Sequence, residues 1–392
     1  MKRLMIPFAI IMALSMIIAC GPKAVKPVSE MDTPEHHFYT GMKMIDQNRP
    51  QEAQVSFDRA LKLAPKFSKA HAGLALAYAY LGNFTEAFKK LDTAWDYAKT
   101  DDEKLFVHIG YIRVNTMSKA ACTKIGVDCR QDTAWLDKTK SEFKKAIAID
   151  PKSSAAYYYM GLAYKNALDF AEAGQMFAKV LELKGELTNE ADIQWKLVQD
   201  IQRAMPGTYT GKKIALVEKI TRADAAALFM EELKIDTLYK KRTLKTFDTS
   251  FKAPDQPSKA TPKPTANDIA DHPLRLDMEG IIELGVRGLE VFPDGKFLPN
   301  DYVTRAGYAM MIEDILIKVT GDQSLATKFI GSTSTFPDLR SDLPYFNAVM
   351  VVTSRGIMQA KSLTSGEFAP LDPVSGVEAL LIIKKFREEL KF

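Results

Sequence analysis

The sequence predicts an all-α chain in two helical halves, and three observations carry that prediction. Small residues recur at a spacing of 34 in the first half: Ala87 follows Ala53 by 34 residues, and Ala94 follows Ala60 by 34. In the second half a loop and a helix start recur at a spacing of 71, from Gly295 to Gly366 and from Thr304 to Ser375. After those starts, Tyr308, Met311, Ile312 and Ile315 in one copy and Ala379, Ile382, Ile383 and Phe386 in the other fall at i, i+3, i+4 and i+7, one face of a helix. A solenoid of helix pairs followed by a helical module in three copies is therefore expected.

At 392 residues, 46% hydrophobic and 26% charged, the composition suits two or three globular domains. The net charge is +4; removal of Lys2 and Arg3 with a signal segment leaves +2, too little to argue for nucleic acid. Met1-Lys2-Arg3 precedes an apolar stretch from Leu4 to Ile18. That stretch is too short to span a bilayer and predicts a signal peptide over residues 1–19. It ends in Ile17-Ile18-Ala19-Cys20, which resembles the bacterial lipobox. The resemblance implies a diacylglyceryl group on the Cys20 thiol and an acyl chain on its new amine, enough for stable membrane anchoring. Gly21 follows in place of aspartate, which under the lipoprotein sorting rule implies the periplasmic face of an outer membrane if the host is a diderm. Residues 20–33, polar and holding Pro22 and Pro27, are expected to form a tether.

Residues 34–185 carry the 34-residue spacing. Gly41, Ala53, Phe57, Ala60 and Pro65 mark one unit; Ala75, Ala87, Leu91 and Ala94 mark the next; Gly161, Phe170, Ala173 and Phe177 mark a fourth. The period resembles that of the tetratricopeptide repeat (TPR). Small residues such as Gly41 and Ala53 let the two helices of a unit approach, Phe57 and Phe177 fill the space between them, and Pro65 and Pro151 stop the second helix. The third unit departs, with helices expected near 101–121 and 133–149 around an insertion, 122–129, bracketed by Cys122 and Cys129. Outside the cytoplasm such a pair is expected to form a disulfide; free thiols and a metal site are the alternatives. Stacked pairs of this kind present a concave surface suited to a protein partner, which Tyr78, Tyr157, Tyr158 and Tyr159 line or support from the core.

Residues 187–392 hold three copies, at 187–245, 267–320 and 335–392, with a proline-rich linker at 252–266. Asp268 and Asp338, the loops Gly295-Lys296-Phe297-Leu298-Pro299 and Gly366-Glu367-Phe368-Ala369-Pro370, and the starts Ile220-Thr221-Arg222-Ala223, Val303-Thr304-Arg305-Ala306 and Val374-Ser375-Gly376-Val377 form the repeated pattern. It resembles the S-layer homology (SLH) module. Thr221, Thr304 and Ser375 stand where helix N-caps belong, with Asp224 and Glu378 placed for capping boxes. Arg222 and Arg305 follow at the positive end of the helix dipole. Beside unpaired first-turn N–H groups, an arginine offers a site for a carboxylate. The resemblance implies a pseudo-trimer whose grooves bind acidic, often pyruvylated, cell-wall polysaccharide at Thr221, Arg222, Thr304, Arg305 and Ser375. The blander reading makes the hydroxyls caps and the arginines surface charges. Gly376 stands where the third arginine would.

No catalytic or cofactor constellation is present in the sequence. His36, His37, His71, His108 and His272 lack the spacing of a metal site or triad, and no nucleophile elbow or phosphate loop occurs. Asp294-Gly295-Lys296 is a turn without the further acidic ligands of a calcium loop. The expected function is non-enzymatic, with no cofactor or metal: a lipid-anchored envelope protein that holds wall glycan with one half and a protein partner with the other. An accessory lipoprotein for envelope assembly or secretion, whose second half no longer binds glycan, is the alternative.

Overall fold

The structure, a computed structural model, describes residues 24–124, 134–242 and 265–390. The signal segment with Cys20, the pairing of Cys122 with Cys129 and most of the proline-rich linker lie outside them. Among the described residues every regular element is helical, and the extended pairings are two isolated bridges, Thr221 with Tyr302 and Thr304 with Pro373. The fold class is all-α, as expected. The chain divides into two compact units, Met1–Lys196 and Leu197–Phe392.

The first unit runs α1 (Pro34–Asp46), α2 (Pro50–Leu63), α3 (Ser68–Tyr80), α4 (Phe84–Tyr97), α5 (Asp101–Lys124), α6 (Ala134–Ile149), α7 (Ser154–Asn166) and α8 (Phe170–Leu183). The helix α9 (Thr188–Ala204) follows and holds the division point. Consecutive helices up to α8 pack as pairs, and the odd-numbered α1, α3, α5 and α7 also pack side by side in a row. Local chemistry starts them: the side chains of Thr33, Asn83, Ser153 and Asp169 accept from the backbone N–H three residues on, satisfying otherwise orphaned donors. The turn inside a pair needs one left-handed residue. Asn48, Gly82 and Leu168 fill that place with φ of 57°, 80° and 61°, a conformation glycine and asparagine tolerate better than leucine.

Glycine makes room for the central aromatic. A Cβ built on Gly41 lies 2.6 Å from the Phe57 ring, and one on Gly73 lies 2.4 Å from it. Phe57, fully buried, is thus gripped between its own unit and the next. Gly161 does the same for Phe177, at 2.6 Å. Burying each ring contributes roughly 2–3 kcal/mol.

The expected tether is only partly one. From residue 24 onward the chain is docked on the first helix pair: the Val25 N–H donates to the Lys62 carbonyl at 2.8 Å, and the Val28 N–H donates to Asp32 at 2.7 Å. Asp32, 5% exposed, also accepts from Arg59 and from His37. Arg59 first, then the Val28 amide, hold its carboxyl well below the usual range. Polar composition suggested a free segment because a single aspartate against an arginine 27 residues away leaves no local pattern.

The second unit contains α10 (Tyr209–Ile214), α11 (Arg222–Ala227, continued by a π turn to Glu232), α12 (Ile235–Arg242), α13 (Arg275–Leu284), α14 (Arg305–Thr320), α15 (Phe346–Ser354) and α16 (Gly376–Glu389). The inner helices α11, α14 and α16 meet at Tyr308. Its ring stacks on Phe229 at 5.4 Å, and its hydroxyl donates to the Ala379 carbonyl.

Adding a methyl at Gly73 should overpack the Phe57 seat, so Gly73→Ala is expected to cost about 1–3 kcal/mol in urea unfolding. In the double variant with Phe57→Leu the two losses are expected to be less than additive.

Candidate functional site

The helix starts of the three copies are joined by their own backbone. The Ile220 N–H donates to the Val374 carbonyl at 2.9 Å, the Val303 N–H to the Ile220 carbonyl at 3.0 Å, and the Val374 N–H to the Val303 carbonyl at 3.0 Å. The three bonds close a ring, one residue before each cap. Thr221, Thr304 and Ser375 then cap their helices, each side-chain oxygen accepting from the N–H three residues on. The capping box is complete for Thr221 with Asp224. The second box does not form as expected, because Glu378 pairs with Arg305 instead.

The first-turn N–H groups are not open to an anion. Those of Arg222 and Ala223 donate to the carbonyls of Asp301 and Pro299 at 2.9 and 3.0 Å, and those of Arg305 and Ala306 to Asp372 and Pro370, both at 2.9 Å. Each copy therefore spends its helix tip on the loop of the next. The sequence could not show this, since the partners lie some 70 residues away and contribute backbone, whose hydrogen bonding leaves no side-chain signature.

The arginines extend the same clasp. Arg222 donates through Nε to the Phe297 carbonyl at 2.8 Å and through Nη2 to the Glu290 carbonyl at 3.0 Å, with Nη1 on the Gly288 carbonyl. Its guanidinium lies 4.7 Å from the centre of the Phe297 ring. Arg305 repeats this one copy on: Nε to Phe368 at 2.7 Å, Nη2 to Gln359 at 2.6 Å, and the Phe368 ring at 4.6 Å. It is 2% exposed. Burial lowers the pKa of both guanidinium groups, yet five fixed donors on a planar fork suit them to this role.

Two aspartates complete the clasp, a role the sequence pattern contained but did not disclose. Asp268 accepts from the N–H groups of Phe297 and Leu298, each at 2.8 Å. Asp338 accepts from Phe368 and Ala369 at 2.9 and 2.7 Å. Burial pushes the Asp268 carboxyl up, but the two loop amides outweigh it and hold the group below its usual range. Leu298 and Ala369 sit at φ of 57° and 55°, and each aspartate holds its loop in that bend. The third junction differs. A Cβ on Gly376 would fall 1.6 Å from the Ile214 carbonyl oxygen, and the Gly376 N–H donates to Val217. Glycine is required where the copy-one backbone occupies the space an arginine would need.

A cleft of about 620 Å³ opens beside Arg305, walled by the Gly356–Lys361 segment and by α16. Arg203, Arg305, Lys361, Lys384 and Lys385 line it, against the carboxylates Glu378 and Glu388. Its charge therefore favours an anionic occupant. In the first unit, Tyr78, Tyr157, Tyr158 and Tyr159 are all half-buried. Tyr78 packs into two core clusters, Tyr157 against Phe143 and Tyr158 against Phe177. Tyr159 lies under Arg113.

Comparison with known proteins agrees with this division. The family profile of the tetratricopeptide repeat matches residues 142–175, and that of the S-layer homology domain matches residues 335–380. No curated protein matches the chain. Among solved structures, the crystal structure of YrrB, described as a TPR protein with an unusual peptide-binding site, shares 16% identity over 43% of this chain and 93% of its own, with a TM-score of 0.19. The chain thus contains a segment similar to a protein-interaction repeat and one similar to a cell-wall-binding domain, which supports a non-enzymatic envelope scaffold.

Arg305→Ala should leave the Phe368 and Gln359 carbonyls and Glu378 without their partner, lowering the stability of the second unit by about 3–5 kcal/mol. Arg305→Lys is expected to recover less than half of that in chemical denaturation followed by circular dichroism, because one ammonium cannot reproduce the fork.

Proposed function

We propose that this chain is a lipid-anchored envelope protein that binds acidic cell-wall polysaccharide with its second unit and a protein partner with its first, so tethering membrane to wall. The observation that carries the glycan reading is the cationic cleft beside Arg305, whose wall at 356–361 lies inside the segment similar to an S-layer homology domain. Arg305 shapes the cleft from beneath, while Lys361 and Lys385 stand exposed at its rim, where they would meet the carboxylates of an acidic sugar. Arg222, Thr221, Thr304 and Ser375 contribute by fixing the loops and helix starts that form the grooves. Binding requires no covalent step and no cofactor.

The anchor in this reading is Cys20, placing the protein on the periplasmic face of an outer membrane. In this reading Val25, whose N–H donates to the Lys62 carbonyl, lies five residues after the anchor in sequence, so the repeats would be held close to the lipid surface.

The third junction favours a second reading: with Gly376 closed against Ile214, the unit has given up one arginine site. A protein that had lost glycan binding would serve as an accessory for envelope assembly or secretion through its repeats.

Sedimentation of the mature chain with purified wall sacculi separates the two. Lys361→Glu with Lys385→Glu, both surface changes that break only weak exposed pairs, is expected to lower the pelleted fraction about tenfold without altering the melting temperature. Removing the acidic substituents of the wall polymer should have the same effect. Pelleting unchanged by both treatments overturns the glycan reading and leaves the accessory reading standing.

A further inference from the structure

Singly scattered exposed apolar side chains are ordinary on a protein surface. The segment that leads into the first helix pair is different, because the fold holds it firmly with apolar side chains turned to solvent. The Val25 N–H donates to the Lys62 carbonyl at 2.8 Å, and a turn over residues 28–31 is closed by the Asp32 N–H on the Ser29 carbonyl at 3.1 Å. The Asp32 carboxylate locks the turn again. It accepts from the Val28 N–H at 2.7 Å, from Arg59 in α2 at 2.9 Å and from His37 in α1 at 2.8 Å. Asp32 is 5% exposed, yet Val28 and Met31 in the turn it holds are 83% and 67% exposed. A buried carboxylate, an arginine and a histidine thus keep in place a turn whose own apolar side chains bury little.

The neighbourhood extends the apolar surface. Val25 is 48% exposed and Val55 is 70% exposed. Val55 precedes Arg59 by four residues, one turn along the same face of α2. Beside Ala24 a cleft of about 550 Å³ opens, with Leu63, Pro65, Phe67 and Tyr97 among its walls. The exposed charges nearest the turn in sequence and on α2 balance, Lys26 and Lys62 against Glu30 and Asp58, so the surface has no strong attraction for an anionic partner. Val25 follows Cys20 by five residues, and so short a covalent link keeps it near whatever holds Cys20.

We propose that residues 25–31, together with Val55, form a lipid-contact surface, in which Val28 and Met31 enter the boundary between headgroups and acyl chains of the membrane that holds Cys20. Such contact strengthens with the apolar area buried, and four side chains alone would hold a bilayer only weakly. The anchor makes the contact intramolecular, so a weak contact suffices to orient the first helix pair. The locked turn serves the same end, because a segment already ordered loses little further freedom on insertion. The inference rests on the reading of Cys20 as a lipid anchor and adds to it a direction: the α1–α2 end of the row formed by α1, α3, α5 and α7 faces the membrane.

The test uses the mature chain purified from membranes and placed in phosphatidylcholine vesicles, with and without phosphatidylcholine spin-labelled on its acyl chain. Two variants are compared, Val28→Trp and Ile193→Trp, both at exposed positions where an indole leaves the packing intact. Ile193 lies in α9, whose Gln194 meets Lys165 of α7 at the other end of the row. The three native tryptophans supply a common background that the parent chain removes. The indole introduced at position 28 is expected to emit further to the blue and to lose intensity to the spin-labelled lipid, and the one at position 193 to do neither. Added salt should leave the quenching unchanged, since the contact is apolar. Quenching absent at position 28, equal at both positions, or lost in salt would overturn the proposal. Mass spectrometry of the N-terminal peptide separates the two readings: an unacylated Cys20 overturns the anchor and the proposal together, whereas an acylated Cys20 with no quenching at position 28 overturns the proposal alone.

Discussion

A ring of three backbone hydrogen bonds, Ile220 to Val374, Val374 to Val303 and Val303 to Ile220, sets the arrangement of the whole second unit. Each bond joins two copies far apart in sequence, so the ring closes only when all three copies are in place. The ring fixes where α11, α14 and α16 begin. Those starts then direct Arg222 and Arg305 onto the next copy's loop, while Asp268 and Asp338 grip the same loops from the other side. A single buried arginine bonded to two or three carbonyls would be a poor way to gain stability. As part of a closed circuit it removes unsatisfied loop carbonyls and determines which copy follows which.

The same circuit explains why the site differs from its sequence-level picture. An arginine after a capping threonine predicts an anion at the helix tip, and in an isolated helix the chemistry would support that. Here the tip's donors are consumed by Asp301, Pro299, Asp372 and Pro370. What faces solvent is the cleft past Arg305, whose charge comes from lysines on α16 and on the 356–361 segment. Any ligand recognised there meets a surface that the clasp shapes, with the clasp itself largely out of reach.

Much of the architecture was legible because it rests on side-chain size at fixed spacing. Gly41, Phe57, Gly161 and Phe177 state the helix-pair packing outright, and the 71-residue offset states the module. The capping residues were legible for the same local reason. What stayed hidden depended on distance: Asp32 with Arg59, Glu378 diverted from its own helix to Arg305, and the backbone of Ile214 filling the place beside Gly376.

Native-state amide exchange at Ile220, Val303 and Val374 tests the closed ring most directly. If the three copies close on one another as described, the three amides should exchange through a single opening, with free energies agreeing within about 1 kcal/mol, and Arg305→Ala should lower all three alike. An Ile220 amide that exchanges readily while Val303 and Val374 remain protected would contradict the ring and the cooperative unit built on it.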